Sequence, residues 1–349
     1  MKIENFTIDK NSPVFIIAEL SANHNGSIDT AIETVRAAKR AGADCIKLQT
    51  FTADTITLDS KKDDFKITQG TLWDGQYLHD LYKTTHLPWE WHEEIMKVAK
   101  EEGLICFSSP FDPTSVEFLE TLNVPAYKIA SFEITDIPLI ELIASKGKPV
   151  IISTGIAEEE DIELALDACK RMGNSDIALL KCTSSYPAPI EEANMCMVKD
   201  LAERYGVISG LSDHTMGSTV PVVATVMGAK IIEKHFILDH SVGGADASFS
   251  MDEGEFTEMV KAVREAESAI GRVDYTLTEK QRKSRDFCRS LYVVKDIKAG
   301  ELLTKNNVRS VRPGFGMHPK FYKDILGQKS SIDLEKGTPL EWNVISKSN

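Results

Sequence analysis

Two histidines follow neighbouring apolar segments of the chain, where together they could hold a metal ion. His214 comes after the apolar segment at residues 207–208, and His235 comes after the one at residues 231–232. Imidazole nitrogens are ligands for Mn²⁺ and other divalent first-row ions. Two protein ligands leave coordination positions that a substrate aldehyde and water can take. A histidine alone is more typical of a hydrogen-bonded structural residue, so the hypothesis requires that the two rings meet.

A second group of side chains suits an anion such as a phosphate. Its members are lysines and serines near the ends of other apolar segments: Lys47, Lys128, Ser131, Ser153 and Ser212. A phosphate needs several donors that converge on it, and lysine serves as a point charge. Lysine is almost never fully buried without a partner, so lysines within apolar segments indicate a ligand or a carboxylate nearby. For Ser153 the alternative role is a helix N-cap ahead of the acidic residues 158–161.

Two carboxylates occur in comparable places. Glu19 follows the first apolar segment, and Glu133 follows the fourth. Glu19 is a candidate general base or partner of a metal-bound water, and Glu133 is a candidate for stabilising positive charge. Each can instead be the ion-pair partner of a nearby lysine. Arg312 lies in a loop rich in glycine and proline and can reach a ligand, although a single loop arginine is typically only solvated.

These residues follow short apolar segments that alternate with amphipathic helical patterns. The predicted strands are residues 14–18, 45–48, 105–107, 126–129, 150–152, 177–180, 207–208 and 231–232. The clearest helical patterns are residues 29–41, 89–102, 159–172 and 253–270. Such alternation predicts a parallel sheet, and eight units over about 250 residues are the size of a (β/α)8 barrel. A doubly wound open sheet is the main alternative. In a barrel, active-site residues lie at the C-terminal ends of the strands, which is where these polar residues fall.

Three segments depart from the repeat. Residues 51–88 form a long connection after the second strand, and their aromatic side chains argue for an ordered lid over the site. Residues 272–289 are predicted to be a linker. Residues 290–349 contain short β-like segments and several glycine turns, so they are predicted to form a small domain of their own. The catalytic domain then spans residues 1–271.

Composition excludes several classes of function. The net charge of -13 argues against general binding to nucleic acid or to an anionic membrane. No segment approaches the ~20 apolar residues of a membrane span, and the N-terminus lacks the apolar core of a secretory signal. The 6 cysteines are scattered without a C-x-x-C pair. These features favour a reduced, cytoplasmic protein without a structural zinc site.

Several strings resemble the sialic acid synthase family. They are AELSANHNG at residues 18–26, KIASFE at 128–133, GLSDH at 210–214 and IEKHF at 232–236. The C-terminal segment resembles the antifreeze-like (SAF) domain that ends those proteins. Four more strings resemble the members that use 2,4-diacetamido-2,4,6-trideoxy-altrose: GTLWDG at 70–75, PWEWH at 88–92, KCTSSYP at 181–187 and RPGFGMHP at 312–319.

The resemblance implies a (β/α)8 barrel enzyme that condenses phosphoenolpyruvate with an open-chain amino-sugar aldehyde, with C–O cleavage and release of phosphate. It implies a divalent metal on His214 and His235, Mn²⁺ with Mg²⁺ or Co²⁺ as alternatives. It also implies a homodimer in which the small domain is swapped over the active site of the partner.

The resemblance also assigns binding residues. Phosphoenolpyruvate would contact the two lysines and three serines named above, with Gln49 and Thr183 nearby. Tyr186 and Asp246 match positions that line the sugar site, and Arg312 would contact the sugar from the partner subunit. The chain carries Gly-Gly-Ala before Asp246, where relatives often carry a proline, so the shape of this loop is open.

The same residues are also compatible with other functions. A lysine Schiff-base aldolase would use one of the available amines: Lys47, Lys128, Lys181 or Lys234. A non-catalytic sugar-binding protein is a third class, although sugar binding alone does not require a metal site beside an anion-binding site. Within the synthase family the alternative sugars are the stereoisomer that leads to legionaminic acid and N-acetylmannosamine.

Overall fold

The computed structural model describes residues 1–346 and divides the chain into two compact units, Met1–Gly271 and Arg272–Asn349. Each unit has its own hydrophobic core. No helix among the described residues is both long enough and apolar enough to cross a bilayer.

The first unit is a closed barrel of parallel strands, which confirms the predicted fold class. Neighbouring strands pair in chain order, and the last strand pairs with both its predecessor and the first to close the ring. Its eight strands are β3 (Phe15–Glu19), β4 (Cys45–Thr50), β5 (Ile105–Pro110), β6 (Tyr127–Ile129), β7 (Val150–Ser153), β8 (Ile177–Cys182), β9 (Ile208–Asp213) and β10 (Ile231–His235). Two further strands, β1 (Lys2–Ile3) and β2 (Phe6–Thr7), precede them.

Helices alternate with the barrel strands. Ten belong to the first unit: α1 (Ile28–Arg40), α2 (Ala53–Ile56), α3 (Leu78–Thr85), α4 (His92–Glu101), α5 (Pro113–Thr121), α6 (Ile137–Ala144), α7 (Glu159–Arg171), α8 (Cys196–Tyr205), α9 (Thr219–Val226) and α10 (Glu253–Ile270). Except in α2 and α3, their apolar faces pack on the outer faces of the strands, as the 3.6-residue pattern predicts.

Most barrel strands run past the end of the apolar segment that predicts them. The strand β9 reaches Asp213 and β10 reaches His235, several residues beyond the predicted ends. Backbone pairing continues there because a ladder of hydrogen bonds does not require apolar side chains. The polar candidates therefore lie on or directly after regular strands, which position side chains more rigidly than loops do.

The N-terminal hairpin of β1 and β2 closes one end of the barrel, an element that the sequence pattern did not predict. Ile3 and Ile8 are fully buried and belong to one apolar cluster with the inward-facing Phe15, Ile17 and Phe107. These inward residues lie in the first halves of their strands. The opposite end, where the strands finish, is left for polar side chains.

The long connection at residues 51–88 is folded. It contains α2 and α3, and the ring of Phe51 packs edge-on against Tyr82 and Phe111 at centroid distances of 5.6 and 5.3 Å. Aromatic packing of this kind stabilises a segment that has little other secondary structure.

The second unit is built around a short antiparallel pair, β11 (Ser290–Val293) and β12 (Val308–Val311). Isolated bridges and apolar side chains such as Leu291, Ile325 and Leu340 complete its core. Two short helices, α11 (Glu279–Ser284) and α12 (Tyr322–Ile325), belong to it. Because α11 lies within residues 272–289, the extent of the linker stays a prediction.

Candidate active site

A buried cluster of two lysines and two glutamates occupies the mouth of the barrel. Lys47 Nζ lies 2.9 Å from Glu19 Oε1 and 3.1 Å from Glu233 Oε1. Lys128 Nζ lies 3.8 Å from the same Glu233 oxygen. All four side chains are at most 4% exposed, so each charge depends on its partners rather than on water. The two lysines predicted to bind an anion therefore converge.

Burial and the neighbouring charges shift the pKa of each lysine in a different direction. Burial alone would lower the pKa of Lys47, but the carboxylates of Glu19 and Glu233 outweigh it and raise that pKa. For Lys128 burial is the largest influence and lowers the pKa, with Lys47 adding to the effect against the attraction of Glu233. A bound anion beside both ammonium groups would supply the negative charge that Lys128 lacks.

Two of the predicted serines contact this cluster. Ser153 Oγ accepts a hydrogen bond of 2.6 Å from Lys128 Nζ, and Ser212 Oγ donates to Glu233 Oε1 at 3.2 Å. The alternative role for Ser153 is excluded, because the N-cap of α7 is Glu158. Both hydroxyls thus lie beside the charges that would meet a phosphate.

Ser131 belongs to a neighbouring hydroxyl group on the same rim. Its Oγ accepts a hydrogen bond of 3.0 Å from Ser184 Oγ, a residue that was not among the predicted site residues. Gly155 faces both: a Cβ at this position would lie 2.5 Å from Ser131 Oγ and 2.2 Å from Ser184 Oγ. A side chain at residue 155 would therefore fill the space between these donors, which glycine keeps open.

The two histidines meet as the metal hypothesis requires. The ring centroids of His214 and His235 lie 5.3 Å apart. Nδ1–H of His214 donates to the carbonyl of Thr183 at 2.9 Å, which leaves the lone pair on Nε2. Nδ1 of His235 is buried without a hydrogen-bond partner among the described residues, and Nε2 lies 3.4 Å from Glu19 Oε2. Imidazole nitrogens without partners beside a carboxylate fit a divalent cation.

Another group of possible metal ligands lies on the exterior of the first unit. Ligand atoms of His240, Asp252 and Glu255 all lie within 4.8 Å of one another. The carboxylate of Asp252 already caps α10, and Glu255 Oε2 accepts from the backbone of Asp252 and contacts His240 Nε2 at 3.1 Å. The three side chains therefore have structural partners, whereas Nδ1 of His235 in the barrel mouth has none among the described residues.

Gln49 and Thr183, predicted to lie near phosphoenolpyruvate, have partners of their own. Gln49 Nε2 donates to Glu19 Oε1 at 2.7 Å and to Ser21 Oγ at 3.1 Å. Thr183 Oγ1 donates to the carbonyl of Glu192 at 3.2 Å. Gln49 thus holds Glu19 in position, while the hydroxyl of Thr183 points to a neighbouring loop. Direct contact of either residue with phosphoenolpyruvate stays a prediction.

The predicted sugar residues divide between the two units. The ring of Tyr186 packs 4.3 Å from that of His214, and Asp246 Oδ2 lies 3.8 Å from His235 Nδ1. Both residues therefore border the histidines. Arg312 belongs to the second unit, directly after β12, and its contact with the sugar stays a prediction.

Glu133 is a largely buried carboxyl group at the rim of the barrel. Its Oε2 has no hydrogen-bond partner among the described residues. Burial raises the pKa of Glu133 to about 7, against the opposing attraction of Lys128 and Lys47 and with some repulsion from Asp136. A carboxyl group with a pKa near neutrality can change its protonation state during a reaction.

Glu233 is the residue of the charge cluster that the predicted site lacked. Strand alternation places it on the same face as His235, and this pattern could have identified it. Lys234 faces the other way: its Nζ pairs with Asp213 Oδ2 at 2.6 Å in the buried layer outside the barrel mouth. Its orientation argues against Lys234 as a Schiff-base nucleophile.

The family model described as "NeuB family" matches residues 34–275, more than half of the chain. The chain belongs to the NeuB family. A second model, the SAF domain, matches residues 289–345. The resemblance to the sialic acid synthases and their C-terminal domain is confirmed. Enzymes of this family are phosphoenolpyruvate-condensing synthases that act on amino sugars and generally use a divalent metal.

Named relatives of this NeuB family member extend over nearly its whole length. A pseudaminic acid synthase of Campylobacter jejuni is 51% identical over 341 residues, which are 98% of each chain. A pseudaminic acid synthase of Helicobacter pylori is 50% identical and covers 96% of this chain and 99% of its own. Among solved structures, the spore coat polysaccharide biosynthesis protein SpsE of Bacillus subtilis is 32% identical with a TM-score of 0.68, covering 100% of this chain and 99% of its own.

If the two barrel histidines hold a metal, His214→Ala and His235→Ala should each weaken binding of Mn²⁺ to the metal-free protein by at least about 10-fold. Isothermal titration calorimetry measures this without any turnover. His240→Ala is the matched control, since it removes the exposed histidine and should leave the affinity unchanged. A loss that follows His240 instead would assign the metal to the exterior group.

Proposed function

We propose that this NeuB family member is a pseudaminic acid synthase that condenses phosphoenolpyruvate with 2,4-diacetamido-2,4,6-trideoxy-altrose. The observation that carries the proposal is the nearly full-length similarity to pseudaminic acid synthases of two bacteria. The lysines, hydroxyls and imidazoles gathered at the barrel mouth are consistent with this chemistry, because an anion and an aldehyde must be bound side by side.

The phosphate of phosphoenolpyruvate is bound, in this proposal, where the two lysines converge. Lys47 and Lys128 supply positive charge, and Ser153 lies within hydrogen-bond distance of Lys128. Ser131 and Ser212 provide further hydroxyls on either side. Glu233 holds the ammonium groups in place before the substrate arrives, so less reorganisation is needed on binding.

His214 and His235 are the proposed ligands of a divalent ion, with Mn²⁺ as the metal. When bound, such an ion supplies Lewis-acid polarisation of the sugar aldehyde. Neighbouring groups orient this site: the backbone carbonyl of Thr183 sets the tautomer of His214, and the carboxylate of Glu19 lies beside His235. Asp246 and Tyr186 border the histidines and are the proposed contacts of the sugar.

The bond-forming step joins C3 of phosphoenolpyruvate to the aldehyde carbon, and the aldehyde oxygen gains a proton to become a hydroxyl. Positive charge then develops at C2, which the carboxylate of Glu133 stabilises. Water adds to C2 and loses a proton, which gives a hydroxyl at C2. The C2–O bond to the phosphate then breaks as this hydroxyl loses its proton, so inorganic phosphate leaves and the 2-keto acid remains. Of the two protons of the water, one balances the proton gained by the aldehyde oxygen and the other leaves with the phosphate.

The two carboxyl groups have different roles because their surroundings differ. Although burial favours its neutral form, Lys47 and His235 hold the pKa of Glu19 far below its usual range. We assign Glu19 to positioning Lys47 and His235, whose nitrogens lie 2.9 and 3.4 Å from its carboxylate oxygens. The proposed role of Glu19 in the reaction is that of a general base or a partner of metal-bound water.

Release of phosphate with each candidate sugar tests the function. The purified protein should release inorganic phosphate from phosphoenolpyruvate with the trideoxy-altrose, and EDTA should abolish the release. Turnover with N-acetylmannosamine or the legionaminic acid precursor should be at least about 10-fold slower. Preference for either of those sugars would contradict the sugar assignment. Chelator-resistant turnover with borohydride trapping of a pyruvate adduct would favour the lysine aldolase.

The raised pKa of Glu133 predicts that the reaction rate falls on the acid side (the acid limb) of its pH profile. Its pKa is raised to about 7, so the carboxyl is mostly protonated below that pH and cannot stabilise positive charge. The rate at saturating substrates should therefore rise with pH through about 7, and at pH 6 it should be about a tenth of its plateau. Glu133→Gln should lose about 100-fold in rate and should also lose this limb. An unchanged limb in the variant would assign the titration to another group.

We also propose a homodimer in which the second unit of one chain completes the active site of the other. Residues of the segment before β11 support an interface, because Val273 is 91%, Tyr275 95% and Phe287 70% exposed. Apolar side chains this exposed in one short segment are typical of a surface that another molecule covers. In this arrangement Arg312 contacts the sugar from the partner subunit.

Mixing two inactive variants tests the swap. His214→Ala disables the barrel site, and Arg312→Ala disables the contribution of the second unit. In a swapped dimer, a mixed dimer has one site with both residues intact, so random exchange should restore about a quarter of wild-type activity. The same mixture should remain inactive if Arg312 serves the barrel of its own chain, which would reject the swap.

All six cysteines are free thiols, which fits a reducing compartment, and we place the enzyme in the cytoplasm. We keep the proposed domain boundaries at residues 1–271, 272–289 and 290–349.

A further inference from the structure

Three aromatic side chains line one side of the barrel mouth beside the histidines. Phe249 is fully buried, with its ring 5.0 Å from His235 and 5.1 Å from Tyr186. Trp73 packs 5.9 Å from Tyr186 and 6.4 Å from Phe249. Trp73 is thus one ring farther out than the residues that border the histidines. We call Trp73, Tyr186 and Phe249 the aromatic wall.

A hydrogen-bonded turn presents Trp73 to the wall. The carboxylate of Asp74 accepts from the backbone of Gly70 at 2.9 Å and of Thr71 at 2.8 Å. The backbone N–H of Trp73 donates to Thr71 Oγ1 at 3.2 Å. Gly70 and Gly75, which both have positive φ angles, are the two ends of the turn. Hydrogen bonds within the turn therefore fix the backbone that carries the indole at the barrel mouth.

Polar side chains also border the mouth, and some of them lie close to the aromatic wall. Asp246 accepts hydrogen bonds from Ser21 Oγ and, at 3.3 Å, from the backbone of Ala22. Gln49 and Glu19 extend this polar group toward Lys47. A ligand in the mouth therefore meets hydrogen-bonding groups at Asp246, Gln49 and Glu19 and apolar faces at the aromatic wall.

The substrate of the proposed function has groups that suit both. A 2,4,6-trideoxy sugar carries hydroxyls and amides along its chain but ends in a methyl group at C6, where most hexoses carry a hydroxymethyl group. If the aldehyde lies at the histidines, the far end of the sugar extends outward, toward the residue that is one ring farther along the wall. A hydroxyl placed against aromatic faces would lose hydrogen bonds to water without replacement.

We propose that Trp73, supported by Phe249, is a specificity-determining residue that receives the C6 methyl group and discriminates against sugars with a C6 hydroxyl. The inference rests on the proposed function and adds to it the chemical feature of the sugar that the protein recognises, the methyl group at C6. Apolar pockets discriminate only moderately against an added hydroxyl, so the expected preference in kcat/KM is about 10- to 100-fold.

The test compares the trideoxy-altrose with its 6-hydroxy analogue by release of phosphate from phosphoenolpyruvate. Trp73→Ala should lower the preference for the 6-deoxy sugar by about 5- to 10-fold, mainly through a higher KM for that sugar. Trp73→Phe should retain most of the preference, because it keeps an aromatic face. Leu72→Ala is the matched control: Leu72 is the preceding residue of the turn, is 54% exposed, and should behave as wild type.

Two outcomes distinguish failure of this inference from failure of the proposed function. An unchanged preference in Trp73→Ala overturns the role of Trp73, even if kcat falls, while leaving the synthase assignment intact. No turnover of either sugar by the wild-type protein contradicts the synthase assignment. In that case calorimetry of the metal-loaded wild type with each sugar still decides the inference, since equal affinities for the two sugars overturn it.

Discussion

The site depends on charges that are held without water inside the mouth of the barrel. Lys47 lies between the carboxylates of Glu19 and Glu233, and Lys128 shares the second of these. Removing one member would leave an unpaired buried charge, which typically costs about 3–5 kcal/mol. The barrel is stable with these lysines because the glutamates compensate them. In the proposed function the same lysines bind an anion, so stability and binding would use one set of contacts.

Strand alternation separates this functional layer from the structural layer behind it. On β10, Glu233 and His235 face the mouth, while Lys234 between them pairs with Asp213 on the outer side. The two ion-pair layers lie back to back across two neighbouring strands. This arrangement holds β9 and β10 in register, and therefore holds His214 and His235 at a constant separation. A shift of one residue in either strand would exchange the two layers.

Polar and aromatic side chains border the mouth, and they come from several parts of the chain. Asp246 and Phe249 follow β10, Tyr186 follows β8, and Trp73 belongs to the connection after β4. Barrel enzymes commonly vary substrate by varying such connections while the strand ends keep the chemistry. The proposed roles divide in the same way: lysines and histidines on or next to strands would act on the reacting atoms, and connecting segments would contact the rest of the sugar.

The sequence by itself determined the class of fold and the places where polar residues occur along it. Burial of apolar side chains imposes a periodic pattern that can be recognised locally, so eight strand–helix units were predictable, and short motifs then indicated the family. Only the tertiary structure decided which polar groups face each other. That Glu233 joins the two lysines, that Lys234 faces away, and that burial raises the pKa of Glu133 all depend on closure of the barrel. Closure brings side chains of separate strands within a few ångströms and excludes water from them, and no local pattern encodes those distances.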